Sequence, residues 1–207
     1  DNSKDNTNAL MLNKKYGLKV FWKDYTGYSV MQKIADSHNQ LRRYFIESNC
    51  DYMFHLESDI FPPKDIIEQL LWARKPIVNG MYQVFDGSWR TTCIGLFDNK
   101  HELSDQFKFS KLLSHFNHWY IDGTIKQCFI AGVGCCLIKR KVVEKIKFRA
   151  NTIVEQEEAD CPPDTYFAED LQNAGIKNWV HTGVLCFHWN REDWGRHFSF
   201  IQYHKSE

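Results

Sequence analysis

Tyr52-Met53-Phe54-His55-Leu56-Glu57-Ser58-Asp59-Ile60-Phe61-Pro62-Pro63 is the stretch on which the reading of this chain turns. Its opening residues are aromatic or apolar around one histidine, the pattern of a buried strand. The run ends in two acids one residue apart, before a Pro-Pro stop. Side chains at i and i+2 of an extended backbone point the same way, so Glu57 and Asp59 share one side. In open α/β sheets, ligands bind in the crevice outside the carboxyl ends of the strands. Two carboxylates that close repel each other unless a cation or a proton lies between them. Mg²⁺ or Mn²⁺ would relieve the repulsion and leave positions open to phosphate oxygens. The plainer alternative is a helix start, with Asp59 or Asp65 capping a helix that begins near Lys64.

Upstream, Val30, Ile34, Leu41 and Phe45 recur at helical spacing between Ser29 and about Ser48, with Lys33, Asp36, Arg42, Arg43 and Glu47 largely on other faces. Lys33, His38 and Arg42 fall at or near one helical spacing and could reach nucleotide phosphates, although a solvated face is the commoner meaning of such a row. Earlier still, Asp5, Asn6 or Thr7 caps a short helix running to about Tyr16, Gly17 ends it, and Leu18 to Trp22 reads as a strand. Downstream, a helix over Lys64 to Arg74 and a strand over Pro76 to Tyr82 complete a strand–helix–strand alternation. That alternation predicts an α/β fold with a mostly parallel central sheet and helices on both faces.

Beyond Tyr82 the rhythm changes. Trp89 to Phe97, Lys126 to Ile130 and Cys135 to Ile138 read as strands, and Ser104 to Tyr120 is amphipathic but ambiguous. Ala131-Gly132-Val133-Gly134 either lets backbone approach a ligand or forms a simple bulge. Lys139 to Lys147 is a short basic helix, and Asn151 to Pro163 has the composition of a mobile lid. A helix over Asp164 to Asn173, closed by Gly175, carries Glu169-Asp170 near its first turn, where a helix N-terminus favours carboxylates in the charged form. A strand over Asn178 to Leu185 then leads into Cys186-Phe187-His188-Trp189-Asn190.

Composition narrows the classes. The 207 residues suit one domain, 1–207, and 26 Lys plus Arg balance 26 Asp plus Glu, so no global basic field points to nucleic acid. No apolar run reaches membrane-spanning length, and Asp1 to Asn8 is polar where a signal peptide carries an apolar core. Seven cysteines, an odd count without a Cys-x-x-Cys pair, fit reduced buried thiols in a cytoplasmic protein. Cys186-Phe187-His188 is at most half of a zinc site. Trp189 and Trp194 are of the type that stacks on sugar rings, and equally of the type that fills cores.

Taken in order, these segments resemble the nucleotide-sugar-dependent glycosyltransferases of GT-A type, in particular the large inverting family. Glu57-Ser58-Asp59 resembles that family's Asp-x-Asp metal motif, Glu169-Asp170 its Glu-Asp pair, and His188 its late metal-binding histidine. Asp1-Asn2-Ser3, with Thr7, resembles the turn after the second strand that meets the nucleotide base. The resemblance implies a Rossmann-like fold with a smaller antiparallel acceptor-side portion. It also implies a nucleotide-sugar-binding half over 1–82, whose first strand would precede Asp1, and an acceptor-binding half over 83–207. It further implies a nucleotide-diphosphate sugar as donor, a glycan or other hydroxyl acceptor, and Mn²⁺ or Mg²⁺ held by Glu57, Asp59 and His188. Asp170, or else Glu169, would be the catalytic base, since neighbours on a helix diverge by about 100°. The donor would be contacted by Asp1, Asn2, Ser3, Lys33, Glu57, Ser58 and Asp59. Glu57 departs from the usual Asp, which keeps open a non-catalytic binding module of the same fold. A nucleotidyltransferase is the other rival, although the basic Gly-rich loop expected of one is missing from this sequence. Further domains in a longer protein are also expected.

Overall fold

The computed structural model describes residues 14–85, 90–92, 94–95, 122–150 and 162–188. In chain order its elements are α1 (Val30–Glu47), β1 (Tyr52–Leu56), β2 (Ile60–Phe61), α2 (Ile66–Trp72), β3 (Ile77–Met81), β4 (Gln83–Phe85), β5 (Arg90–Thr92) and β6 (Ile94–Gly95). These are followed by β7 (Ile125–Cys128), β8 (Ile130–Ala131), β9 (Cys135–Lys139), α3 (Arg140–Lys145), α4 (Pro163–Asn173), β10 (Asn178–Leu185) and β11 (Phe187–His188).

Local chemistry explains the main boundaries. Ser29 starts α1 with a reciprocal cap: its hydroxyl accepts the Gln32 N–H at 3.2 Å, and its own N–H donates to Gln32 Oε1 at 2.9 Å. Pro163 opens α4 with its φ already set for a helix, and Gly175 follows that helix at φ +69°, where a side chain would be strained.

The strands form a five-stranded sheet in the order β1-β9-β3-β10-β7. β9 runs antiparallel to both β1 and β3, β10 runs parallel to β3, and β7 runs antiparallel to β10. The sheet is therefore mixed, with three antiparallel contacts to one parallel contact, and the expectation of a mostly parallel Rossmann-like GT-A sheet is overturned. β1 and β3 do run in the same direction, as a helical crossover requires, yet they are not neighbours. β9 occupies the strand width between them. Its Cys135-Cys136-Leu137-Ile138 run is buried at every position, and a run that is apolar on both faces gives no hint of strand direction.

Helices cover both faces. Cys135 and Leu137 pack with Val78, Val180 and Val184 against Leu70 of α2. Cys136 and Ile138 face the other way, toward Phe45 of α1, Val142 of α3 and Leu171 of α4. One sheet thus draws strands from either side of residue 82. Other expectations need adjustment. Leu18 to Trp22, expected as a strand, forms no regular element and joins no ladder among the described residues; Phe21 meets Tyr44 edge-on and Trp22 stays 59% exposed. The segments expected at 104–120 and 151–161, and the tryptophans at 189 and 194, lie outside the described residues. Among the described residues no helix is long and apolar enough to cross a membrane.

Arg42 is buried rather than available to a phosphate. Its guanidinium donates to the carbonyls of Val143 at 2.6 Å, Glu144 at 2.7 Å and Ile146 at 2.9 Å, closing the carboxyl end of α3. Arg42→Met would strand those acceptors, and urea denaturation is expected to show a loss of about 2 kcal/mol.

Candidate functional site

The β1–β9 ladder carries the first acid into place. Leu56 is paired with Cys135, and one step further the Glu57 N–H donates to the Gly134 carbonyl at 2.9 Å. A tight turn through Ser58 and Asp59 follows, closed by the Ile60 N–H on the Glu57 carbonyl at 3.2 Å. The chain then enters β2, which pairs with β11 so that His188 stands opposite Ile60. This short ladder sets His188 Nε2 3.5 Å from Asp59 Oδ2, with the carboxylate side chain 45% exposed.

Glu57 is the hub of the site. A Cβ on Gly134 would lie 2.7 Å from Tyr82 Oη and 2.9 Å from Glu57 Oε2, so only glycine lets those two groups approach the turn. The Gly134 N–H donates to Tyr82 Oη at 3.0 Å, and the Tyr82 ring stands edge-on to His188 at 5.4 Å. Burial, followed by the nearby charges of Asp59 and Asp164, pushes Glu57 from its ordinary 4.5 up to about 7. Asp164, at the first turn of α4, is itself raised by burial, against the lowering effect of the Thr165 N–H it accepts at 2.9 Å.

Beside the carboxylates lies a pair of buried histidines. His55 donates from Nδ1 to the Val133 carbonyl at 2.7 Å, since a carbonyl can only accept. His38 stands edge-on to it at 4.5 Å, and its Nε2 is 3.8 Å from Glu57 Oε1. Burial and the neighbouring His55 push His38 down to about 3, so this contact joins a neutral ring to a carboxyl group and is no ion pair.

The expected site residues thus divide. Glu57, Asp59 and His188 are brought together, and Ser58 sits exposed in the turn between the acids. Glu169 and Asp170 are not brought to them by any contact among the described residues; both pair with Arg149, Asp170 Oδ2 at 3.0 Å from its Nε. No contact among the described residues brings Lys33 of α1 to the acids either. Asp1, Asn2 and Ser3 lie outside the described residues. Asp164 and Tyr82 were missed, and His38, expected in a row that could reach nucleotide phosphates, is instead buried beside His55 and Glu57. The available signal for Asp164 was a lone acid between a Pro-Pro pair and a helical run of apolar residues, which is easily read as a cap.

Among the described residues no three His, Cys, Asp or Glu side chains are arranged to hold a metal ion. The chemistry of the donor set nonetheless suits a divalent cation. Asp59 and His188 supply an oxygen and a nitrogen donor side by side, and the carboxylate repulsion that adds to burial in raising Glu57 is the kind a cation relieves.

No family model and no curated protein sequence matches this chain. Among solved structures it is similar to one titled "Crystal Structure of A197 from STIV", at 17% identity and a TM-score of 0.48, covering 77% of this chain and 69% of that one. A likeness that slight carries no step of the argument.

Two outcomes follow from the geometry around Glu57. Gly134→Ala is expected to lose about 2 kcal/mol in urea denaturation, because the buried Tyr82 hydroxyl has no room to retreat. The second concerns pH. Glu57 keeps its proton in the fold up to about 7 but only to 4.5 when unfolded, so its contribution to stability is fully present below 4.5 and is lost as pH rises through 7. His38 and His55, both lowered by burial, act in the opposite direction: their contribution is present above 6.5 and is lost as pH falls. Comparing wild type with Glu57→Gln isolates the first effect. In calorimetry the melting temperature of Glu57→Gln should match wild type near pH 4 and exceed it by a few degrees at pH 8. A difference that stays flat with pH would refute this account.

Proposed function

We propose that this chain transfers a sugar from a nucleotide-diphosphate sugar to a hydroxyl acceptor, with Mn²⁺ or Mg²⁺ and with inversion at the anomeric carbon. The observation that carries this reading is the meeting of Asp59 with His188 next to Glu57, just beyond the end of β1. Asp59 and His188 would hold the cation, with Glu57 as the third donor. A bound cation neutralises the charge that grows on the departing diphosphate.

The proton is the chain's own task. As the acceptor oxygen bonds to the anomeric carbon, the bond from that carbon to the phosphate oxygen breaks and the diphosphate leaves with the electron pair. The acceptor's proton needs a base within reach. We assign this role to Asp164 ahead of Asp170, because its charge is felt at Glu57 and burial raises its basicity. Glu169 and Asp170 instead tie Arg149 to α4. A second reading, a non-catalytic module that binds nucleotide sugars, is favoured by Glu57 holding its proton to about 7, since a protonated carboxyl is a poor ligand for a cation.

Transfer assays with a panel of nucleotide sugars and Mn²⁺, paired with calorimetric titration of nucleotide, separate the two. Asp164→Asn is expected to lower kcat by roughly 10²- to 10⁴-fold while keeping Mn²⁺-dependent nucleotide binding. Asp170→Asn should stay within a few-fold of wild type. Equal losses in both variants would remove Asp164 from the role of base. Wild-type protein that binds nucleotide with Mn²⁺ and turns over no donor would favour the module.

A further inference from the structure

His38 is a buried polar residue that the proposed chemistry does not use. It is 8% exposed, and its Nδ1 is buried without a hydrogen-bond partner, a penalty that a leucine or phenylalanine in the same place would avoid. Its other nitrogen approaches Glu57 Oε1 at 3.8 Å, about an ångström beyond a hydrogen bond.

The ring is held on several sides. His55 meets it edge-on at 4.5 Å and Phe148 at 4.8 Å. Phe148 is itself fixed, stacked on Phe167 at 4.6 Å and tied through both backbone groups to the Asn39 side chain at 2.6 Å and 3.1 Å. His55 is anchored on the Val133 carbonyl, and Val133 precedes the glycine that adjoins Tyr82 and Glu57 Oε2. The turn Val133-Gly134 therefore borders Glu57 on two sides: Oε2 lies over the space that a side chain at Gly134 would fill, and Oε1 faces the His38 ring at 3.8 Å, a ring packed on the His55 that Val133 anchors.

We propose that His38 is a positioning residue that confines the Glu57 carboxyl group to one rotamer, so that the acid meets a ligand already oriented. A side chain fixed before binding pays less ordering entropy when the ligand arrives. The orientation is a property of this chain alone; its use in holding a cation rests on the glycosyl-transfer reading above.

Three substitutions test it. His38→Phe keeps the aromatic contacts and removes the nitrogen, His38→Met is a second nitrogen-free side chain, and His38→Gln returns an N–H close to the place of Nε2. Side-chain scalar couplings of Glu57, measured by NMR without metal or substrate, should report one rotamer in wild type and His38→Gln and averaging in whichever nitrogen-free variants fold. Loss of Mn²⁺ from solution, followed by electron paramagnetic resonance with a nucleoside diphosphate present, should then show a midpoint raised roughly tenfold in the nitrogen-free variants. A single unchanged Glu57 rotamer in a folded nitrogen-free variant would overturn the proposal. So would averaging that persists in His38→Gln. If wild-type protein takes up no Mn²⁺, the glycosyl-transfer reading falls, while the coupling measurement still decides the role of His38.

Discussion

The site depends on a strand pairing that runs one residue past the end of the strand. β1 and β9 pair through Leu56 and Cys135, and the next rung joins the Glu57 N–H to the Gly134 carbonyl. At that rung the side chain of residue 134 must be absent, because Tyr82 Oη and Glu57 Oε2 occupy its space. The acid, the tyrosine and the turn are consequently placed by the same backbone that closes the sheet. β9 itself is held from both sides, its alternate residues buried in two separate clusters, so this rung has little freedom to shift. A site built on such a strand inherits the rigidity of the core.

That rigidity keeps together groups that repel. Glu57, buried and within reach of the charges of Asp59 and Asp164, responds by holding its proton. The neighbouring histidines respond in the opposite sense: burial lowers both, and His55 lowers His38 further. Charge is thus suppressed on both kinds of group in the buried part of the site, as expected where burial outweighs ionisation.

How much of this was legible in the sequence depended on whether a feature was local. α1 and β10 could be read because each is continuous: one carries apolar residues at helical spacing after Ser29, the other is a single run after Gly175. The sheet order could not be read, because β9 is apolar at every turn of its pleat and looks the same in either direction. Glu57, Asp59 and His188 were identified by residue type, yet the contact between Asp59 and His188 needs the β2–β11 ladder, a pairing of residues more than a hundred positions apart. Glu169-Asp170 drew attention as adjacent acids, whereas α4 turns both toward Arg149. Asp164 was read only as the first residue of a helix, and nothing local reveals that its charge is felt at Glu57.

The division of burial within the site bears on what it can do. Asp59 is nearly half exposed, while Tyr82 and His38 are almost wholly enclosed. An incoming ligand therefore meets Asp59 and the His188 edge before it meets the groups behind them. Glu57, about one-third exposed, faces His38 behind it and feels the charge of Asp59 in front. A cation arriving at the outer layer would lower the electrostatic penalty on Glu57, and any ligand bound only to the folded chain stabilises it. Binding affinity and fold stability are coupled at this residue, because the penalty that a cation would lower, set by burial and by the neighbouring acids, is the one that the sheet holds in place.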